Sequence, residues 1–408
     1  MRRPPFSPLP SFPVSRRQGL VLLGASLAGS GWAQTGSAWA AIETAARGQK
    51  VFVNAWGGSE RSNAHLQWAA TEVGQRFGVQ VQHVKLNATA EAVKRVRSEK
   101  LAGKMVGGSV DVVWINGENF LTMKREGLLF GPFAESLPSF KNVDVVGKPS
   151  TRIDFSEPVQ GLEAPWGMAQ FTLFADRQKV PVAPRSMRAL AEFARAHPGR
   201  LTYPRPPDFV GTTFLKQALL ELNTERAPLY QDVTPTAFAK ATAPLWAYLD
   251  ELHPQLWRAG KQFPPTPAAI RQMMADGELL IALTFNPNEA ANEILAKRLA
   301  DSVYSWQMAG GAIGNSHFLA IPFNSSSTAG AQVLINFLLT PEAQARKADL
   351  ALWGDPTVLA LDKLSPTDRA RFGSRPMPGQ VEQTMPVLLE PHGSWVEALE
   401  REWLRRYA

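Results

Sequence analysis

Cysteine is absent from all 408 residues. That excludes disulfides, thiolate metal sites and a lipid-modified cysteine, and leaves the compartment to be read from other features. Dense blocks of lysine and arginine are missing as well. The formal charge is +7, but residues 1–40 hold four arginines and no acid, and without them it falls to +3. No nucleic-acid-binding stripe remains. Beyond residue 40 no stretch has the roughly eighteen unbroken apolar residues of a membrane span, so the mature chain is expected to be soluble. Catalytic signatures are also lacking. There is no G-x-S-x-G elbow, no S-x-x-K and no G-x-x-x-x-G-K-[ST] phosphate loop. The histidines, at 65, 83, 197, 253, 317 and 392, show no zinc-motif spacing.

What is present is ample core. Apolar residues make up 45% of the chain and include twelve tryptophans, so general disorder is excluded. The length exceeds one compact core, and two domains or lobes are expected. The N-terminus has Arg16-Arg17, an apolar but Gly/Ser-rich run from Gly19 to Gly31, and small-residue cleavage patterns at Gly31-Trp32-Ala33 and Ala38-Trp39-Ala40. This is the layout of a secretory signal peptide over residues 1–40. The paired arginines resemble a twin-arginine signal, although Gly19 stands where that signal usually has an aromatic.

From residue 50 strands and helices alternate. KVFVNAW (50–56), VQVQHVKL (79–86) and VDVVWI (110–115) read as strands, each followed by a helical pattern. That alternation predicts α/β architecture with mostly parallel sheets flanked by helices. Further on, RLTYPRP (200–206) and LLIALTFNP (279–287) read as strands, and GTTFLKQALLEL (211–222) and PLWAYLDELHPQLW (244–257) as helices. Three strands run out into polar, glycine-rich turns: NAWGGSE (54–60), WINGENF (114–120) and TFNPNEA (284–290). In open α/β sheets ligands sit at such carboxyl ends, against helix N-termini. Three exits together suggest one shared cleft.

More than one chemistry could sit within that cleft. Loop acids Glu60, Glu118, Glu163, Asp208 and Glu289 could supply a glycosidase pair, yet no spacing selects two of them. Trp56 and Trp166 abut glycines and are expected to be exposed for stacking, whereas Trp114 inside its strand is expected in the core. Glu118 has two readings: a ligand contact, or a first-turn acid that complements the helix dipole.

Taken together, VFVNAWGGSE, VDVVWINGENFLTMKREGLLFGPF, GLEAPWGMAQF, YPRPPDFVGTTFLKQALL, FNPNEA and GNSHFLAIPFN with NFLLTPEAQARKAD resemble the periplasmic substrate-binding proteins of ATP-binding-cassette (ABC) importers. The group includes thiamine, iron(III) and polyamine binders, and the likeness is closest to a branch of unassigned solute. The resemblance implies a type II periplasmic-binding-protein fold of two α/β lobes. Residues 50–165 and 315–350 would form lobe one, and 170–308 and 351–408 lobe two. The hinge crossings would lie at 166–174 and 310–320. It places Trp56, Gly57, Gly58, Ser59, Asn116, Glu118 and Asn119 on one wall of the cleft. Thr212, Thr213, Asn286 and Asn288 would form the other wall, with Trp166 near the hinge. It also implies a monomer that hands a small solute to a membrane permease, with no cofactor, no metal and no turnover. Adjacent tyrosines, frequent in iron binders, do not occur among the five present. Thr212 and Thr213 at a helix start favour an anion, and Glu118 with a tryptophan favours a cation. A zwitterion, or a phosphate ester of a cationic heterocycle, would suit both. The alternative from another class is an exported α/β carbohydrate-active hydrolase using two loop carboxylates.

Overall fold

A computed structural model describes residues 30–408 except 374–376 and 384, with side chains from residue 38 onward. The expected signal around Arg16 and Arg17 lies outside the described residues. Helix α1 (Ser30–Ala46) leads into β1 (Lys50–Trp56), α2 (Glu60–Phe77), β2 (Gln80–Leu86), α3 (Ala90–Leu101), β3 (Val112–Ile115) and α4 (Gly117–Arg125). Short strands β4 (Ile153–Asp154) and β5 (Glu157–Pro158) precede β6 (Glu163–Gln170) and β7 (Thr172–Asp176). Next come α5 (Met187–Ala196), α6 (Phe209–Leu222), α7 (Pro235–Leu252), α8 (Pro267–Ala275), β8 (Ile281–Thr284), α9 (Glu289–Leu295) and β9 (Val303–Trp306). The chain continues through β10 (Ala312–Ala320), α10 (Thr328–Leu338), α11 (Pro341–Ala348), α12 (Pro366–Ala370), β11 (Val387–Leu388) and α13 (Ser394–Tyr407).

The first sheet has the order β11-β10-β3-β1-β2, with β6 also paired to β10. Strand β1 lies parallel to both β2 and β3, as strand–helix–strand connections require. Side chains alternate across it. Val51, Val53 and Ala55 enter the core shared with α2 and α10, whereas Val113 and Ile115 of β3 enter a smaller core on the opposite face. The second sheet has the order β8-β7-β9, and β7 runs antiparallel to both neighbours. Here the expectation of parallel pairing is corrected. Only Phe171 separates β7 from β6, so the chain enters this sheet straight from the crossing rather than through a helix.

Two lobes are joined by a ladder. Strands β6 and β10 pair antiparallel from Glu163↔Ala320 to Gln170↔Gly314. Ala164, Trp166 and Leu319 belong to the first lobe's core, whereas Leu173, Phe174, Ala312 and Ile313 belong to the second's. The C-terminal region divides between the lobes. Trp353, Val358, Leu359 and Leu364 pack in the first core, and Leu388, Trp395, Leu399, Trp403, Leu404 and Tyr407 in or against the second, so the expected assignment of all of 351–408 to lobe two is too broad. The expected strand at 200–206 is not a ladder strand: Pro204 and Pro206 lack the N–H groups that pairing needs, although Leu201 and Tyr203 are fully buried. Helix α7 begins at Pro235, nine residues before its expected start, behind a Thr234 cap.

Candidate functional site

Strand β1 ends on Trp56, which is 46% exposed. Its indole lies against Gly58, where a Cβ would collide with the ring. Ser59 is the N-cap of α2 and accepts a hydrogen bond from the Ser62 N–H at 3.3 Å. The Gly57 N–H donates to the Leu86 carbonyl at 2.9 Å, which closes the turn against β2. One residue into α2, the Arg61 guanidinium donates to the carbonyls of Leu350 (3.1 Å) and of Asn292 in lobe two (3.2 Å).

Strand β3 ends on Asn116, which stands at the N-cap of α4 without bonding through its side chain. Gly117 follows at φ +62°, a conformation open to glycine at little cost. Its N–H donates to the buried Asp154 Oδ2 at 2.6 Å. Glu118 is half-buried and accepts from Asn119 Nδ2 at 2.8 Å. Burial raises its carboxyl above the usual range, as does the charge of Glu390, while Lys216 opposes the shift.

Across from these, α6 departs from expectation. Its first N–H groups are already taken: Asp208 Oδ1 accepts from Val210 at 2.9 Å and Gly211 at 3.1 Å. A carboxylate therefore occupies the position proposed for a bound anion. Thr212 and Thr213 are buried. The Thr212 hydroxyl donates to Glu400 Oε1 and the Thr213 hydroxyl to the Phe209 carbonyl, each at 2.7 Å. One turn further, Lys216 reaches lobe one. Its ammonium lies 2.6 Å from Glu390 Oε2 and 4.4 Å from the centre of the Phe155 ring. Glu390 also accepts from Asn315 of β10 at 3.1 Å, and its backbone carbonyl accepts from Ser156 at 2.8 Å.

Four of the twelve expected residues thus fall into two groups. Glu118 and Thr212 meet at a charged seam between the lobes, beside Lys216, Glu390, Glu400 and Asp154. Burial raises all four of the carboxyls Glu118, Asp154, Glu390 and Glu400, the last to about 7. Among the described residues, Asp154 Oδ1 has no hydrogen-bond partner, and neither do the two oxygens of the fully buried Glu163. The other group joins the end of β8 to residues 350–359. Asn286 Oδ1 accepts from the Asn288 N–H at 3.0 Å, and Asn288 Nδ2 donates to the Gly354 carbonyl at 2.6 Å. Trp166 is corrected from an exposed stacking face to a core residue. It is fully buried, edge-on to Trp114 at 5.0 Å and near His65, His317 and Trp353. Two surface cavities of about 330 and 360 Å³ lie on lobe two, around Tyr304 and Pro206, and include none of the twelve. Sequence reasoning missed Arg61, Lys216 and Glu390. Only Lys216, a charge within the apolar run FLKQALL, carried a signal.

Two lobes on paired crossing strands, with polar strand ends near their junction, have the architecture of a solute-binding protein. The profile of bacterial extracellular solute-binding proteins matches residues 68–361, most of the chain, and the chain belongs to that family. Protein YnjB of Escherichia coli (strain K12) is 48% identical over 371 residues, spanning 91% of this chain and 94% of YnjB. Among solved structures, the fold is similar to AfuA of Actinobacillus pleuropneumoniae with fructose-6-phosphate bound (13% identity, 88% of this chain and 99% of that one, TM-score 0.61). It is also similar to the spermidine/putrescine transporter's binding protein PotD of Streptococcus pneumoniae (15%, 88% and 98%, TM-score 0.58). Neighbours with such different solutes share the fold alone. Nothing in these comparisons supports the hydrolase alternative.

Proposed function

We propose that this protein captures an organic cation between its lobes in the periplasm and, as a monomer without catalytic turnover, delivers it to an ABC permease in the inner membrane. The observation that carries the reading is the seam around Glu118. Four carboxyls from both lobes gather there near a single ammonium, Lys216, which is already paired with Glu390. A cationic group on the solute would offset that surplus, and the exposed face of Trp56 would suit a cationic heterocycle. The phosphate-ester option loses its support because Asp208 already caps α6. On this reading Trp56–Ser59 and Asn116–Asn119 line one wall, with Thr212, Asn286 and Asn288 on the other. Closure about β6 and β10 completes the site.

The leader is proposed to be cut after Ala33 rather than after Ala40. Trp39 packs against the first core, so the earlier cut keeps a contact that the later one removes. Mass spectrometry of the exported protein reads the new N-terminus. The solute class is tested by thermal shift with a panel of amines, cationic heterocycles, sugars and phosphate esters. A ligand at about a hundred times its dissociation constant adds roughly 2.7 kcal/mol. Cations should stabilise the wild type and lose most of that effect with Glu118→Gln. Stabilisation by sugars or phosphate esters alone would overturn the cation reading.

A further inference from the structure

The ladder that joins the lobes is irregular at one point. His317 pairs with Gly167 but Phe318 with Pro165, so Trp166 is the extra residue of a β-bulge. Bulges disrupt a ladder locally and bend the strand that carries them. The Trp166 carbonyl is taken by the amide of the fully buried Gln344 at 2.8 Å. The same Gln344 accepts, through Oε1, from the Thr357 hydroxyl at 2.8 Å and the Val358 N–H at 3.2 Å. Residues 350–359 therefore form a strap tied directly to the bulge.

A second tie lies beside it. Asp355 pairs with His317 Nε2 at 2.8 Å and with the fully buried Lys347. Its carboxylate fills the space where a side chain on Gly167 would stand. Lys347 also donates to the Pro356 carbonyl at 2.9 Å. The strap's own Trp353, Val358 and Leu359 belong to the first core, so it is a fixed part of lobe one.

From that fixed position the strap holds lobe two. Asn292 Nδ2 donates to the Trp353 carbonyl at 2.8 Å, and Asn288 Nδ2 to the Gly354 carbonyl at 2.6 Å. Arg61 of lobe one spans the same joint, donating to strap carbonyls and to the Asn292 carbonyl.

We infer that the strap is an intramolecular latch: seated on the bulge where the crossing strands bend, it holds α9 of lobe two through Asn288 and Asn292 and so favours closure before any solute arrives. Opening requires those two amides to leave the strap carbonyls. The latch thereby sets the closed-to-open ratio on which solute binding acts.

The lack of cysteine makes the test direct. Val106→Cys in lobe one and Val182→Cys in lobe two, both wild-type residues highly exposed, carry spin labels, and distances are measured by pulsed electron resonance without solute. The latched protein should give one dominant distance. Asn292→Ala should raise the share of a second distance about fivefold, and adding Asn288→Ala should raise it about fivefold again, as expected for one net hydrogen bond each. Circular dichroism confirms that each variant is folded. If Asn292→Ala is misfolded, Asn288→Ala alone carries the test. An unchanged distribution in a folded variant overturns the latch, and so does a wild type already divided evenly between two distances. Because no solute is present, failure here leaves the cation reading untouched, and failure of the cation panel leaves the latch untouched.

Discussion

Where Lys216 meets Glu390, two side chains that are each 1% exposed face one another at 2.6 Å. Where Asn292 meets the strap, a neutral amide meets a backbone carbonyl at 2.8 Å. Both contacts lie at the junction of the lobes, the first beside Phe155 of lobe one, but they respond to different conditions. A buried ion pair is costly to break from one side, because the remaining charge is left in a medium that solvates it poorly. A neutral hydrogen bond exchanges more evenly with water. The charged seam can therefore sense pH and a charged solute directly, whereas the amide–carbonyl bonds themselves carry no charge and do not titrate.

The largest effect should come from breaking the charged seam. Lys216→Met leaves Glu390 without its ammonium and should cost about 3–5 kcal/mol, read as a fall in the guanidinium unfolding midpoint. Adding Glu390→Leu should restore much of the loss, because the orphaned charge is then gone. If the double variant is no better than the single, the pair is not the source of the cost. On the amide side, Asn292→Ala should cost only about 1–2 kcal/mol, and the cost should be the same in low and high salt. A strong salt dependence would erase the contrast between the seams.

The next effect is smaller and separates the seams by pH. Burial lifts the Glu400 carboxyl from 4.5 to about 7, partly offset by the Thr212 hydroxyl. The folded state thus holds this proton more tightly than the unfolded state does. Its contribution is fully present below about pH 4.5 and is lost as pH rises through about 7. After allowance for solvent screening the change is on the order of 1 kcal/mol. Glu400→Gln should flatten that part of the stability profile, and Asn292→Ala should leave its shape unaltered. The smallest effect belongs to Trp56→Ala, which removes an exposed ring and should change solute-free stability by less than about 0.5 kcal/mol. A larger loss would make Trp56 a structural residue.

Much of this was legible in the sequence because it rests on local pattern. The strand KVFVNAW and the helix behind Ser59 depend on neighbours in the chain, and both form within a residue or two of expectation. The polar knot INGENF was readable for the same reason, since Gly117 needs its own backbone conformation and nothing more. What escaped depends on contacts distant in sequence. Trp166 next to Gly167 suggested exposure, but a bulge turns its ring into a core built partly by Trp353. Thr212 and Thr213 suggested an open helix start, but Asp208 four residues earlier closes it. The partners Lys216 and Glu390 are separated by 174 positions, and no spacing rule connects them.

The central claim is that a cation is held where Glu118 faces Lys216 and Glu390. It is tested most directly by isothermal titration of a stabilising amine or cationic heterocycle into wild type, Glu118→Gln and Glu60→Gln, the last being an exposed acid of the same lobe. The account predicts that Glu118→Gln weakens binding at least tenfold, as loss of one charge-assisted contact should, while Glu60→Gln binds like the wild type. Equal affinity in all three proteins would contradict it.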